Sequence, residues 1–341
     1  MAPAPLPERL TAQALAGEPL RSPEAVAKRL LAVQGQDPRG ARLAVRARTA
    51  GVSAADVDRA LSEDRSLLIT WLNRGTLHLV RSEDYPWLHA LTTPPLLTSS
   101  TRRLRQEGVG EEDAERAVRT IEEALEQEGP RTRAQLRERL DRAGLRTAGQ
   151  ALVHLLFRAT LRGIAVRGPM VGKEHAYVLV RDWLGEQEPV DRGVALAELA
   201  RRYLVGHAPA SDRDLARWAG LPLRDARAGV AAISSQLVER SDGLLELKKT
   251  PPPAPLPPPR LLGAYDPVLL GWTSREEIVG PQRLLVTDNG LFRPFAMVDG
   301  RAVATWRLSG GKVTIEHLDE VDEEDAAALE ADAAGVLEFL A

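Results

Sequence analysis

The stretch SLLITWLNRGTLHLV, residues 66 to 80, holds two apolar runs on either side of Asn73-Arg74-Gly75. Short apolar runs bounded by turn residues are typical of β-strands. We therefore expect strands at 68 to 71 and 76 to 80 that pair as a hairpin. The residues just before them, 53 to 62, have the apolar spacing of a short helix. The local order is thus a helix followed by a small hairpin.

The same order of elements returns twice downstream. We predict helices at 113 to 127, 132 to 143 and 147 to 161 before two strands around Gly168-Pro169, and helices at 194 to 203, 211 to 218 and 223 to 233 before a hairpin around Asp242-Gly243. Short helices that close on a small hairpin are the plan of the winged helix, a variant of the helix-turn-helix. The letters do not repeat, but the physical unit does. The predicted fold class is α+β with tandem winged-helix (helix-turn-helix) units.

A Pro-dense segment, TPPPAPLPPPR at 250 to 260, predicts an extended linker, because proline has no amide hydrogen for a helix or a central strand. Strand-like segments and Gly-containing turns follow it. They predict a small C-terminal antiparallel β-barrel or sheet, closed by an acidic helix at 323 to 340. The expected division of the chain is three winged-helix units at 1–110, 111–185 and 186–250, the linker at 251–260, and the β domain at 261–341.

Composition excludes several classes of protein. The 341 residues contain no Cys, which excludes disulfides, thiolate metal sites and a cysteine nucleophile. The six histidines lack metal-ligand spacing, so we expect no metal and no other cofactor. There is no apolar run of about 18 residues and no basic leader before an apolar stretch, so we expect a cytoplasmic protein without membrane contact.

The formal net charge of −3 is unevenly distributed. Residues 251 to 341 carry 7 Lys+Arg and 15 Asp+Glu, or −8, which leaves 38 basic and 33 acidic residues, or +5, for the first 250. Arginine dominates the basic residues and suits phosphate contact, although a GC-rich genome explains an arginine excess equally well. The mild positive charge of the first 250 residues is compatible with nucleic-acid binding.

The chemically suggestive motif is Gln34-Gly35-Gln36, which follows a predicted helix that starts at Ser22-Pro23-Glu24 and ends near Gln34. Gly35 and Pro38 favour extended backbone, in which residues two apart share a face. For an arbitrary Gln-x-Gln, the simpler interpretation is that both side chains cap backbone groups. A carboxamide can orient water but cannot take a proton near pH 7. Such a pair would suffice only where the leaving group is already good, as in the glycosidic bond of an N7- or N3-alkylated purine.

Four ordered strings resemble the bacterial winged-helix DNA glycosylases, the alkylpurine and interstrand-crosslink glycosylases of the azinomycin self-resistance type. They are LLAVQGQDPRGARLAVRAR (30 to 48), TWLNRGTLHLVRSEDYPWL (70 to 88), LLGAYDPVLLGWTSR (261 to 275) and GLFRPFAMVDGRAVATWRL (290 to 308). The resemblance covers nearly the whole chain. It implies three tandem winged helices, a C-terminal β-barrel and a concave DNA channel.

The resemblance also implies roles for particular residues. Gln34 and Gln36 occupy the family's two catalytic positions, with Gly35 where an aliphatic residue usually stands. The residues expected to contact DNA are Arg42, Arg46, Arg48, Arg74, His78, Arg293 and Arg301. His78 has a structural role as its alternative, and for Arg293 and Arg301 the alternative is an ordinary solvated strand pair. The turn at Tyr265-Asp266 either faces the site or is an ordinary turn of the kind that Asp-Pro favours.

The leading hypothesis is therefore a monofunctional DNA glycosylase. It would hydrolyse the N-glycosidic bond of alkylated purines, N7-alkylguanine and possible crosslinks included, in repair or antibiotic self-resistance. The expected partner is double-stranded DNA that carries alkylated purines, and the expected state is a monomer. The alternative is a non-catalytic winged-helix transcriptional regulator, since fold alone does not define function.

Overall fold

The computed structural model describes residues 5–172, 174–280, 285–287 and 290–341. The chain forms two compact units. Unit 1 contains Met1–Val57 and Gly193–Ala341, and unit 2 contains Asp58–Arg192. The Pro-rich segment lies within unit 1, where Ala254 N donates to Thr11 Oγ1 over 2.9 Å. The units do not coincide with the five expected segments, and the division into winged helices stays a prediction.

Helices and short strands alternate along the chain, which confirms the mixed fold class. The helices are α1 (Leu6–Ala12), α2 (Pro23–Leu30), α3 (Pro38–Arg46), α4 (Ala54–Ser62), α5 (Tyr85–Thr92), α6 (Pro94–Gln106), α7 (Glu111–Glu128), α8 (Arg133–Arg142), α9 (Ala151–Leu161), α10 (Val180–Leu184), α11 (Arg192–His207), α12 (Asp212–Ala219), α13 (Leu223–Ala232), α14 (Glu276–Val279) and α15 (Glu323–Leu340). The strands are β1 (Val33–Gln34), β2 (Leu67–Leu72), β3 (Thr76–Arg81), β4 (Ala165–Val171), β5 (Glu174–Leu179), β6 (Leu237–Glu239), β7 (Leu245–Leu247), β8 (Arg260–Leu262), β9 (Phe295–Val298), β10 (Arg301–Ser309) and β11 (Lys312–His317).

The first two hairpins of unit 2 form one antiparallel sheet in the order β3-β2-β4-β5. The hairpin β2–β3 is confirmed, with a turn of 3₁₀ type at Asn73–Gly75 and Leu72 opposite Thr76. The turn predicted at Gly168-Pro169 is wrong: both residues lie inside β4, where the register with β5 shifts. A bulge tolerates a proline because it already leaves a ladder hydrogen bond unmade.

Unit 1 holds an open antiparallel sheet in the order β11-β10-β9-β8 and the separate hairpin β6–β7. The described residues of the C-terminal region therefore build a sheet, and the barrel alternative is not what they form. Helix α15 packs on β8. The hairpin β6–β7 reverses around Asp242-Gly243 as predicted.

The predicted helix signals act locally. Ser22 accepts from Ala25 N over 3.1 Å, so α2 begins where expected. It ends at Leu30, however, four residues before the predicted end, because Leu31 takes a positive φ of 66° and turns the backbone out of the helix. Ser211 forms a reciprocal capping box with Asp214, and Gly220 ends α12 in the left-handed conformation, as predicted.

Helices α1, α3, α5, α6, α10 and α14 were not predicted from the sequence. The first four have Pro in their first turn, where the missing amide hydrogen costs nothing and the fixed φ suits a helix. Pro38, which was expected to favour extended backbone, therefore begins a helix. None of the helices in the described part of the chain is both long and apolar enough to cross a membrane.

Candidate active site

The two glutamines face each other at the start of the segment that joins β1 to α3. Gln34 Nε2 donates to Gln36 Oε1 over 2.6 Å. Gln34 is buried, with 6% of its surface exposed, whereas Gln36 is exposed. Extended backbone places residues two apart on one face, so this pairing agrees with the expectation from the sequence. One amide is thus anchored in the protein and holds the other at the surface.

Asp37 fixes the direction in which the chain leaves this pair. Its Oδ1 accepts from Gly40 N over 2.7 Å, which makes Asp37 the N-cap of α3, and Pro38 occupies the first helical position. The Asp37 carboxylate therefore has a local structural role as a helix cap. Because the cap is rigid, the glutamine pair is tied to the N-terminus of α3.

The turn around Tyr265 docks on the first turn of α3. A Cβ built on Gly40 would lie 2.3 Å from the carbonyl oxygen of Ala264, so only glycine allows this approach. Tyr265 has a positive φ of 59°, unusual for a residue with a side chain. Burial raises the pKa of the Tyr265 phenol, and the nearby Asp37 carboxylate raises it further. The expected site-facing turn therefore lies beside Asp37, and the Tyr265 ring packs 5.5 Å from Phe292, centroid to centroid.

A buried ion pair holds this turn in place. Arg48 donates through Nη1 and Nη2 to Asp266 over 2.9 and 2.8 Å, and neither side chain has any exposed surface. Arg48 Nε also donates to Gln13 O over 2.8 Å, and Asp266 Oδ1 accepts from Val268 N over 3.0 Å. A side chain without exposed surface has nothing to offer a phosphate. The burial of Arg48 thus favours a structural role, and its expected DNA contact stays untested.

Arg42 and Arg46 also have partners inside unit 1. Arg42 is buried and donates to Pro38 O over 2.9 Å. Arg46 makes a bidentate bond to Asp332 of α15, at 2.7 and 3.0 Å. These partners hold α3 to its own first turn and to the C-terminal helix. These contacts indicate packing roles for Arg42 and Arg46. Whether either residue also contacts DNA stays untested.

The two candidates of unit 2 differ from each other. Arg74 is exposed in the tight turn between β2 and β3, with a φ of 48°. His78 is buried, and its Nδ1 lies 2.9 Å from Thr76 O. Burial, with a smaller effect of Arg74, lowers the pKa of His78 to about 3. His78 is thus a neutral interior side chain at pH 7, which supports its structural alternative. The phosphate contact of Arg74 stays a prediction.

Arg293 and Arg301 are exposed on either side of β9, in unit 1. Arg301 begins β10 directly after the Asp299-Gly300 turn. Of the seven residues expected to contact DNA, Arg74, Arg293 and Arg301 are therefore the exposed ones. Sequence reasoning did not find the positioning network of Gln13, Gly40 and Asp332, because these residues lie far from their partners along the chain.

Comparison with known proteins defines the class. The model of the family described as "DNA glycosylase AlkZ-like" matches residues 27–339, and the chain belongs to this family. DNA glycosylases are enzymes that hydrolyse the N-glycosidic bond between a base and its sugar. The alternative of a non-catalytic regulator finds no support in this match.

One curated relative and one solved structure specify the similarity. The chain is 29% identical over 356 aligned positions to an interstrand DNA cross-link repair glycosylase of Streptomyces sahachiroi, covering 94% of this chain and 91% of the relative. It is similar to the structure of the DNA glycosylase AlkZ of Streptomyces sahachiroi with a TM-score of 0.79 and 25% identity, covering 98% of this chain and 95% of that one.

Proposed function

We propose that this glycosylase acts on alkylated purines in double-stranded DNA, with N7-alkylguanine and interstrand crosslinks as substrates and Gln34 and Gln36 as its catalytic residues. The observation that carries the proposal is the hydrogen bond between the two carboxamides, at 2.6 Å, in front of the capped helix α3. The curated relative, named for cross-link repair, adds support for the crosslink substrate. The enzyme acts as a monomer and releases the base without cutting the strand.

The chemistry needs a water molecule in position and little acid or base catalysis. An alkyl group on N7 makes the purine cationic, so the C1′–N9 bond breaks with its electron pair on the base and leaves a neutral base. The sugar carbon becomes oxocarbenium-like and adds water, whose proton passes to solvent. Gln36 Oε1 already accepts one bond from Gln34, and its second lone pair can accept from that water. Gln34 thereby orients the water through Gln36 and needs no contact with it.

An exposed glutamine also fits the crosslink substrate. A base that is bonded to both strands cannot swing fully into a deep pocket, because its tether holds it near the duplex. Gln36 is exposed and Tyr265 is half-exposed beside Asp37. These groups can therefore meet a lesion that stays close to the stack, with the Tyr265 ring as a surface for the sugar or the base.

The experiment measures the release of 7-methylguanine and of crosslinked guanine from defined duplexes. Gln34→Ala and Gln36→Ala should each slow single-turnover release about 100-fold or more, since an oriented polar group at a reacting centre has an effect of this order. The matched control is Gln187→Ala, because Gln187 is exposed and bonds only to local carbonyls such as Gly185 O. Wild-type protein that releases neither base, or glutamine variants as fast as the control, would refute the proposal.

A further inference from the structure

Arg29 is a half-buried cation that has no counter-charge among the described residues. It lies in the last turn of α2, and its guanidinium has no hydrogen bond or ion pair to the residues that the structure describes. Burial lowers the pKa of Arg29, with no opposing contribution from a carboxylate. Withdrawing a charge from water costs free energy unless a partner replaces the water. A natural partner for such a group is an anion from outside the chain.

Other buried or half-buried arginines of unit 1 donate to carboxylates or to backbone carbonyls. Arg9 pairs with Glu277 at 3.2 Å, and Arg240 pairs with Glu8 at 3.2 Å. Arg46 and Arg48 have the bidentate bonds described above. Arg42, Arg260 and Arg275 donate to backbone carbonyls instead, those of Pro38, Ala47 and Leu269. Each of these guanidinium groups thus has a hydrogen-bond partner within the unit, and Arg29 departs from that pattern.

Arg29 lines a cavity of about 160 Å³. This is the space of roughly five water molecules at about 30 Å³ each, enough for a tetrahedral oxyanion. Lys249, which follows β7, also lines the cavity. Leu204 and Val205 of α11 line it with apolar side chains. All of these residues belong to unit 1. A small cavity with two cations and a dry wall favours a compact, highly charged ligand.

The carboxylates nearest the cavity lie around Arg240. Glu8 also lines it, but its carboxylate accepts from Arg240. The Arg240 guanidinium lies 3.2 Å from Asp242 and 3.8 Å from Glu246, so these acids are engaged as well. Thr11 and Thr250 donate their hydroxyl hydrogens to the carbonyls of Pro7 and Leu247. Donors for a ligand therefore come from Arg29 and Lys249.

The lysines of the chain give an independent observation. Only five of the 45 basic residues are lysines. Three of these five, at positions 28, 248 and 249, are exposed and are either lining residues of the cavity or their sequence neighbours. Lys28 precedes Arg29, and Lys248 precedes Lys249. Lysine side chains add point charges that attract a phosphate from any direction.

We propose that this cavity is a phosphate-binding site, in which Arg29 binds two phosphate oxygens and Lys249 binds a third. The phosphate comes either from a strand of duplex DNA or from a free phosphate or nucleotide. In the first case the site is an anchor outside the glutamine pair: α2 carries Arg29 five residues before Gln34, so a strand held there would be fixed relative to the catalytic segment.

The test compares Arg29→Gln and Lys249→Gln with Arg307→Gln, whose side chain is 69% exposed on β10. The first measurement is the affinity for undamaged duplex DNA between 50 and 200 mM NaCl. A lost phosphate contact reduces the slope of log K against log salt by about 1, equally for all sequences. Both cavity variants should show this reduction if the site holds DNA, and the control should keep the wild-type slope.

The second measurement is the Tm as inorganic phosphate replaces chloride at constant ionic strength. If the ligand is free phosphate, wild-type Tm should rise, the rise should vanish in Arg29→Gln, and the DNA slopes should agree. Arg29→Met guards against misfolding, because it keeps the stem length, removes the desolvated charge and should not lower the Tm. Unchanged slopes together with no phosphate-dependent Tm rise would overturn the proposal. Neither measurement uses base release, so its failure leaves the proposed glycosylase reaction standing.

Discussion

The Arg48 guanidinium and the Asp266 carboxylate are separated by 218 residues and are both fully buried. Removing one partner of such a pair leaves an uncompensated charge in the interior. We expect Asp266→Asn to lower the free energy of unfolding by about 3 kcal/mol, a typical cost for this change. Urea unfolding followed by tryptophan fluorescence measures it. The control is Asp64→Asn, which breaks an ion pair with about half of both side chains exposed and should cost less than about 1 kcal/mol. Equal losses in the two variants would contradict the structural role of Asp266.

Gly40 allows the Tyr265 turn to approach α3. A side chain at this position meets the backbone oxygen of Ala264 at 2.3 Å, and backbone cannot rotate away as a flexible side chain can. Gly40→Ser should therefore cost about 1 to 3 kcal/mol of stability and displace Tyr265 from Asp37. Gly110→Ser is the matched control, because its Cβ would enter open space at a helix N-cap. The expectation fails if Gly40→Ser is as stable as Gly110→Ser and releases the base at the wild-type rate.

Residues that are close in sequence were easier to interpret than residues that are far apart. Gln34 and Gln36 stand two residues apart, so backbone geometry alone predicted that their side chains meet. Arg46 stands 286 residues from Asp332, and nothing local to Arg46 indicates that partner. The sequence therefore placed the two carboxamides on one face, as an alternative to the simpler interpretation that each caps backbone groups. It had no means to separate packing arginines from exposed ones.

The same distinction holds for helices and strands. Caps are local, so the starts of α2 and α12 and the end of α12 follow from Ser22, Ser211 and Gly220. The strand β4 was misread because Gly168 is a packing residue: a Cβ there would lie 2.8 Å from the Trp183 ring, a contact that only the folded unit reveals. Glycine in a strand can mark a close approach as well as a turn.

Asp214, in α12, bonds to Thr273, which follows the short 3₁₀ helix at Pro267–Leu269. Its Oδ2 accepts from Ser211 N over 2.9 Å, and its Oδ1 accepts from Thr273 N over 2.8 Å. Although burial raises the pKa of Asp214, these hydrogen bonds outweigh it and lower the pKa overall. Asp214→Ala should cost about 2 kcal/mol, since it leaves the part-buried donors of Ser211 and Thr273 unpaired. Ser211→Ala removes only the cap and should cost about 1 kcal/mol. Chemical denaturation of both variants checks the order, and an equal cost would show that the bonds to Thr273 contribute nothing.

At the scale of the molecule, net charge differs strongly between the two sequence segments divided at the Pro-rich stretch. It differs much less between the two compact units. Unit 2 holds 21 Lys+Arg and 21 Asp+Glu, which leaves 24 and 27, or −3, for unit 1. The division into +5 and −8 at the Pro-rich segment arises because unit 1 combines the basic first residues with the acidic C-terminal region. The bond between Arg46 and Asp332 shows one consequence, since a basic residue of α3 is neutralised by the acidic helix α15. Net charge therefore says little about which surface of unit 1 meets a phosphate.

Stability should depend on pH through buried histidines, one in each unit. His207 packs among Tyr203, Trp218 and Trp272, and burial lowers its pKa to about 3, as it does for His78. An unfolded histidine titrates near 6.5. Above that pH both states are neutral and stability is fully present. Below pH 6.5 these histidines bind protons in the unfolded chain, whereas in the folded chain they stay neutral down to about pH 3. The free energy of unfolding therefore falls as the pH falls from 6.5 towards 3.

Each histidine should contribute a slope of up to about 1.4 kcal/mol per pH unit, or roughly 2 kcal/mol between pH 7 and pH 5. Carboxylates stay largely ionised in that range, so their contribution is small. His207→Phe keeps a ring among the aromatic neighbours and removes the titration, and it should flatten the dependence of the unfolding free energy of unit 1. The exposed His317 is the control, since His317→Gln should leave the wild-type slope unchanged. A slope that survives in His207→Phe would mean that His207 is protonated in the folded chain or does not control this window, and the burial argument for its pKa would fail with it.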